Sequence, residues 1–154
     1  MANLFRSLVF VPGNNPRFLA KAKSLPADIV CFDLEDSVPD KEKKKARVLI
    51  KNTLKQRKKY FADVFVRTNS PESGLVEADL KEIVQKGIDG IVIPKVNSAN
   101  ELKKIEKTIS SLEKKRKIKA SIDSIHSFEP AAEAHTKMLQ GKFFGKILIK
   151  PEGA

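Results

Sequence analysis

Apolar residues follow two alternating patterns along the chain. Positions 8–11, 29–34, 64–67 and 90–94 are short, nearly continuous apolar runs of the length expected for buried strands. Between them the apolar positions recur at helical spacing: Phe18, Leu19, Ala22 and Leu25, then Ala46, Leu49, Ile50 and Leu54 within 40–57. A third helix is expected over 77–86 with Gly87 placed to end it, and a long fourth over 98–115 with Ser98 as its N-cap. A fifth strand is expected within 118–125, a helix over 129–139 and a sixth strand over Lys146–Lys150. Strands alternating with crossover helices predict right-handed βαβ units, and so a parallel α/β fold in a single domain.

In parallel α/β folds the loops at the carboxyl ends of the strands gather the ligands. The first strand runs into Pro12-Gly13-Asn14-Asn15 and the second into Asp33-Leu34-Glu35-Asp36. The third runs into Arg67-Thr68-Asn69, the fourth into Pro94-Lys95, the fifth region offers Asp123 and the sixth ends at Lys150-Pro151. Several of these have plain structural readings. Pro12-Gly13-Asn14 has turn composition, Glu35 and Asp36 suit a helix N-terminus, and Lys95 can extend into solvent. Arg67 is different, because a guanidinium closing an apolar strand needs a carboxylate partner, with Glu35 or Asp36 at hand or a ligand. Asp123, His126 and His135 lack the spacing of a metal site.

Composition narrows the function classes. The 154 residues carry 30 Lys+Arg against 19 Asp+Glu, a formal charge of +11 that favours anionic partners. Lysines concentrate in 41–45, 51–59 and 103–119, where interspersed apolar residues such as Leu102, Ile105, Ile109 and Leu112 make them solvated faces of amphipathic helices. Only Tyr60 and Phe61 lie beside such a run, so a nucleic-acid face is not expected. No apolar run approaches the ~18 residues of a membrane helix, and no signal peptide is recognisable at the start. Cys31 is the sole cysteine, which excludes an internal disulfide and a cysteine-rich metal site; a cytoplasmic chain is expected.

Four ordered segments together resemble one family. Arg6-Ser-Leu-Val-Phe-Val-Pro-Gly-Asn14 with Pro16-Arg17-Phe18-Leu19 is similar to the opening of citrate lyase beta-subunit-like proteins, of the HpcH/HpaI aldolase superfamily. Ala27-Asp-Ile-Val-Cys-Phe-Asp-Leu-Glu-Asp-Ser-Val38 resembles that family's second-strand signature, Val66-Arg67-Thr68-Asn69 its arginine motif, and Asp89-Gly-Ile-Val-Ile-Pro-Lys-Val96 its fourth-strand motif. The resemblance runs continuously over about the first 105 residues. It implies a TIM-barrel-derived parallel β/α fold and Mg²⁺-dependent cleavage or formation of a carbon–carbon bond in citryl, malyl or related thioesters of coenzyme A or acyl carrier protein. It further implies that Arg67 binds substrate oxygens and that Glu35 and Asp36 shape the catalytic site. Pro12, Gly13, Asn14, Arg17 and Lys95 would be substrate-binding positions, with the Pro12–Asn14 loop and Arg17 near the nucleotide end of the thioester. A homo-oligomer, or association with a full-length relative, is implied as well.

The chain also departs from the family pattern. A (β/α)₈ barrel typically takes ~250 residues, whereas six strand candidates are legible here. The family's metal-binding glutamate, in an Ile-Glu-Thr-like setting, and its metal-binding aspartate after a glycine have no counterparts. Ala120-Ser-Ile-Asp-Ser-Ile-His126 resembles a late family strand, and Gly141-Lys-Phe-Phe-Gly-Lys-Ile-Leu-Ile-Lys-Pro151 the penultimate motif, with Lys150 where a histidine is usual. The sequence therefore reads as strands one to four joined to seven and eight. It lacks the segment expected between about 117 and 119 and the C-terminal extension, as in a truncated or internally deleted relative or an incomplete chain. Asp123 is the one acid that another alignment would bring toward the lost glutamate. Two expectations follow: an incomplete barrel of about six strands with the family's lyase chemistry, or a noncatalytic thioester-binding or regulatory module.

Overall fold

The computed structural model describes residues 5–118, together with the backbone of two later strands, 122–127 and 146–150. Four strands, β1 (Leu8–Pro12), β2 (Ile29–Asp33), β3 (Asp63–Arg67) and β4 (Gly90–Val92), form one parallel sheet in the order β1-β2-β3-β4. Helices α1 (Pro16–Lys21), α2 (Lys43–Leu54) and α3 (Val76–Ile83) make the crossovers, and α4 (Ala99–Arg116) follows β4. β5 (Ile122–Ser127) and β6 (Lys146–Lys150) pair in parallel as a separate two-stranded sheet, with a register shift at Asp123. The parallel α/β reading of the sequence holds, and the four-stranded sheet stays open rather than closing on itself. The helix expected over 129–139 lies outside the described residues.

Local chemistry explains the helix limits. Asn15 caps α1, its Oδ1 accepting from the amides of Arg17 and Phe18, and Pro16 fills the first position, where no amide is needed. Ser98 caps α4 as expected, accepting from Glu101 N. α3 stops at Ile83, ahead of the expected Gly87. Arg116 donates to the carbonyls of Lys81 and Val84, satisfying the last turn of α3 from a neighbouring helix. Gly87 then takes φ 102° in the turn into β4.

The core lies between one face of the sheet and the helices. Val11, Val30, Phe32, Val64 and Val66 pack there against Ala46, Ile50, Leu54, Leu80, Ile83 and Ile105. The register of the ladder sets the other face, since side chains on adjacent strands in one row point the same way. One row is Phe10, Cys31, Phe65 and Gly90; the next, at the carboxyl end, is Pro12, Asp33, Arg67 and Val92. Phe10 on this face is 48% exposed. Beyond the strands the ladder continues into the loops, with Gly13 N donating to Asp33 O, Leu34 N to Arg67 O and Thr68 N to Val92 O. These bonds hold the loop starts side by side. Among the described residues, no helix is long and apolar enough to cross a membrane.

Gly13 is required by this close approach, because a Cβ there would sit 2.6 Å from Asp33 O and 2.6 Å from Ile50 Cδ1. Gly74, at φ 70°, has open space around it. Gly13→Ala is expected to destabilise the chain by roughly 2–3 kcal/mol, the upper part of the overpacking range, because the obstructing atoms include backbone. Gly74→Ala should cost about 1 kcal/mol, from backbone conformation alone. Urea unfolding of both variants measures the difference, and equal losses would contradict the close-approach reading.

Candidate active site at the strand carboxyl ends

Asp33 and Arg67 are paired in register across β2 and β3, so their side chains emerge together from the carboxyl end of the sheet. Arg67 donates Nε to Asp33 Oδ1 and Nη2 to Oδ2, both at 2.8 Å, a two-pronged charge-assisted pair. Asp33 is fully buried and also accepts from Glu35 N at 2.8 Å, Ser37 N at 3.0 Å and the Ser37 hydroxyl at 2.6 Å. Burial pushes this carboxyl up. The Arg67 hydrogen bonds, with those from Ser37 and the Glu35 amide, more than offset it and hold the group at about 2. In return the Asp33 bonds raise the Arg67 guanidinium above its ordinary value against the pull of burial, and Glu35 and Asp36 add to the effect. The Phe10 ring lies under the guanidinium, 4.5 Å from Cζ to the centroid.

Two Arg67 nitrogens are therefore committed, and the third faces the other acids. Arg67 Nη1 lies 3.4 Å from Glu35 Oε2 and 3.4 Å from Asp36 Oδ2. Lys95 Nζ reaches Glu35 Oε1 at 3.0 Å and Asp36 Oδ1 at 3.5 Å from the end of β4. Lys95 does so from φ 52°, a left-handed conformation that a side-chain-bearing residue adopts at a cost. Its ammonium is raised above its ordinary value, first by the bond to Glu35 and then by the charge of Asp36. Glu35 is only 7% exposed, yet neither carboxylate oxygen has a hydrogen-bond partner of proper geometry; its contacts are ion pairs alone. A buried acceptor without hydrogen bonds is costly unless a ligand or solvent completes it.

The residues singled out from sequence separate into two groups. Arg67, Glu35, Asp36 and Lys95 come together as one charge cluster. Pro12 lies in the Asp33 row and Gly13 supports the Asp33 carbonyl, so their loop borders the cluster. Asn14 turns instead to Glu42, donating Nδ2 to Oε2 at 2.7 Å. Arg17 is exposed in the first turn of α1. Asp123 is the register-shifted residue of β5, and its side chain lies outside the described residues. Two sequence expectations need correction. The principal carboxylate partner of Arg67 is Asp33, not Glu35 or Asp36, because only Asp33 shares its row. Neither Glu35 nor Asp36 opens a helix, since α2 begins at Lys43.

Sequence reasoning also passed over a buried polar chain beneath the cluster. Lys43, read as part of a solvated lysine face, is 8% exposed. Its Nζ donates to Leu34 O and Glu35 O at 3.0 Å and to Asn69 Oδ1 at 2.5 Å. Asn69 in turn donates its backbone N, at 2.7 Å, and Nδ2, at 2.8 Å, to Asp79, which also accepts from Arg47 Nε at 2.6 Å. The sequence signal available was the position of Asn69, two residues past a strand-end arginine.

The chemistry open to the cluster follows from these commitments. Cys31, one row below, has its thiol pushed up to about 12 by burial and then by the Asp33 charge, so it is no nucleophile. The described residues do not fit a resident Mg²⁺. Asp33 spends its oxygens on five hydrogen bonds, and Glu35 and Asp36 face Arg67 and Lys95. Among the described residues, no group of three or more His, Cys, Asp or Glu side chains is arranged to hold a metal ion. The arrangement can instead offer a guanidinium edge and a buried carboxylate to the oxygens of a ligand.

Comparison with known proteins supplies the lineage. Residues 6–140 match the profile of the HpcH/HpaI aldolase/citrate lyase family. The chain is 38% identical over 111 residues to citrate lyase subunit beta of Leuconostoc mesenteroides subsp. cremoris, covering 72% of this chain and 37% of that protein. It is likewise 38% identical over 111 residues to a (3S)-malyl-CoA thioesterase of Cereibacter sphaeroides, covering 72% of this chain and 39% of that one. The chain thus spans less than two fifths of the length of these relatives. Among solved structures, Haloferax volcanii malate synthase in a lead(II) complex superposes with a TM-score of 0.65 at 20% identity, over 86% of this chain and 44% of that one; this is a likeness of fold.

The Asp33 pairing carries a pH signature. Its folded value of about 2 lies below the ~3.9 of an unfolded aspartate, so its stabilisation is complete above ~pH 4 and is lost as pH falls through about 2. That contribution is on the order of 2 kcal/mol. Asp33→Asn should be less stable at pH 6 and lose stability less steeply between pH ~4 and ~2 than the parent. Urea unfolding across that range reads both, and identical acid slopes would refute the assignment.

Proposed function

The chain belongs to the HpcH/HpaI aldolase/citrate lyase family, and from that membership and the cluster geometry we propose that its strand ends form the acyl-binding part of a carbon–carbon lyase site. The substrate class is the one the family resemblance implies, a citryl, malyl or related acyl thioester of coenzyme A or of an acyl carrier, and relatives named citrate lyase subunit beta and (3S)-malyl-CoA thioesterase support it. The observation that carries the reading is the division of labour on Arg67. Asp33 fixes two of its nitrogens and leaves Nη1 facing out beside a buried Glu35 that lacks hydrogen bonds.

Arg67 Nη1 donates to the thioester carbonyl oxygen, which takes up the electron pair of the broken carbon–carbon bond as an enolate while the substrate hydroxyl loses its proton and becomes the 2-oxo group; a fixed cation at that oxygen favours the charged state. Glu35 accepts from a substrate hydroxyl, and Lys95 draws Glu35 and Asp36 into place from the β4 end. The Pro12–Gly13 turn borders the cluster, and that loop with Asn14 and Arg17 is proposed to meet the carrier end of the thioester. Magnesium, which the family resemblance implies, enters no step, because the described carboxylates are already engaged with cations or amides.

That engagement of the three acids favours a second reading, a noncatalytic thioester-binding module that works beside a full-length relative. The two are separated by one pair of measurements. Malyl-CoA and citryl-CoA are incubated with the chain and Mg²⁺ while 2-oxo-acid release is followed, and malyl-CoA binding is measured by calorimetry. Release that falls ~10²–10³-fold in Arg67→Ala, the scale of losing one charge-stabilising donor, supports the lyase. Binding that depends on Arg67 without release supports the module. Neither binding nor release would defeat both.

A further inference from the structure

The proposed centre is flanked by a buried cation that departs from the usual rule of protein interiors. Lys43 is a buried ammonium whose partners are three neutral oxygens, and the nearest carboxylate, Asp40 at 3.8 Å, is fully exposed. It also stands at the first residue of α2, where the positive end of the helix disfavours a cation. In the loop after β2, Glu35 is a buried carboxylate whose ion pairs run to Lys95 Nζ at 3.0 Å and Arg67 Nη1 at 3.4 Å, not to Lys43. Glu35 has its cations, but the buried Lys43 charge rests on neutral oxygens although a buried carboxylate belongs to the very residue whose carbonyl it binds. The fold instead turns the Lys43 ammonium onto the Glu35 backbone carbonyl and leaves the Glu35 side chain facing Arg67.

We infer that Lys43 is a positioning residue for the Glu35–Arg67 centre, its ammonium clasping Leu34 O, Glu35 O and Asn69 Oδ1 so that the loops after β2 and β3 present the Glu35 carboxylate to Arg67 rather than to Lys43. The inference rests on the reading of that centre as a ligand site. The clasp works through backbone rather than through the carboxylate, so it fixes the loop without consuming the acceptor. Asn69 relays the constraint. Its Oδ1 receives Lys43 and its Nδ2 and backbone N engage Asp79 on α3, which Arg47 of α2 holds from the other side. One ammonium thus ties two strand-end loops to two helices. Its three contacts radiate from one nitrogen, a geometry the planar fork of an arginine does not reproduce.

The test compares Lys43→Met and Lys43→Arg with Arg57→Met. Arg57 binds Asp63, Asp89 and Tyr60 O at the opposite ends of the strands and so controls for lost stability alone. Asn69→Ala removes a single contact of the clasp and serves where Lys43→Met does not fold. Amide hydrogen exchange of the unliganded chain is read first. Lys43→Met or Asn69→Ala should speed exchange ~10-fold or more in 34–38 and 68–70, while Arg57→Met leaves those segments unchanged at a comparable loss of Tm. Malyl-CoA affinity is read second and should weaken ~10-fold or more in Lys43→Met, partly recover in Lys43→Arg and stay near the parent in Arg57→Met. Unchanged exchange in both segments, or affinity that tracks Tm alike in the Lys43 and Arg57 variants, overturns the inference. Failure of the parent chain to bind malyl-CoA overturns the functional reading instead, and the exchange result still decides whether Lys43 positions the loops.

Discussion

Everything at the strand ends depends on burying the Asp33 carboxylate without leaving its charge unanswered. An ionised group removed from water costs several kcal/mol unless donors replace the lost hydration. Parallel register supplies the first of them by setting Asp33 opposite Arg67 in a single row, and the loop folds back so that Glu35 N, Ser37 N and the Ser37 hydroxyl supply the rest. A slip of one residue between β2 and β3 would send the two side chains to opposite faces and bury both charges alone. The pair therefore specifies the register as well as using it. The orientation of Arg67, the loop path through Glu35 and Asp36, and the approach of Lys95 follow from that choice.

The two ends of the sheet handle charge differently. At the amino ends Asp28 accepts from Arg6 N, the Arg6 guanidinium, Ser7 N and the Ser7 hydroxyl, while Arg57 joins Asp63, Asp89 and Tyr60 O. These are closed sets, in which donors meet acceptors and the strand starts are stapled down. At the carboxyl ends Glu35 has ion pairs but no hydrogen bonds, Arg67 keeps an outward edge and Lys95 keeps a left-handed backbone. Local rules are obeyed where the sheet needs only stability and broken where we propose the ligand site.

Much of this was legible in the sequence because it is local. Short apolar runs located β1 to β4, and Ser98 announced the start of α4. Position at a strand end, not residue type alone, separated Arg67 and Lys95 from the other basic side chains. What escaped depends on distant partners. Asp33 reads as the close of an apolar run, and only the β2–β3 register reveals it as the arginine's mate. Lys43 sits among five basic or acidic neighbours and shares their surface pattern; three oxygens from the loops after β2 and β3 take it inside. Asp79 looks like an ordinary first-turn acid of α3 until Asn69 and Arg47 converge on it.

The charge of the cluster bears on what it can accept. Three carboxylates, Asp33, Glu35 and Asp36, face two cations, Arg67 and Lys95, so a fully anionic ligand arriving at Arg67 Nη1 meets a centre already negative overall. Two of the acids cannot relieve this, because Asp33 is locked by hydrogen bonds and Glu35 is buried. Asp36 can, since its side chain is 62% exposed and its 3.4 Å contact with Nη1 is a long one that water would replace at little cost. A carbonyl oxygen, which carries no full charge until the bond to its carbon begins to rearrange, suits the resting cluster better than a carboxylate does. In the proposed lyase reading Arg67 would exchange Asp36 for that oxygen as it gains charge, so the interaction would strengthen along the reaction rather than on binding, which is the condition for catalysis rather than mere affinity.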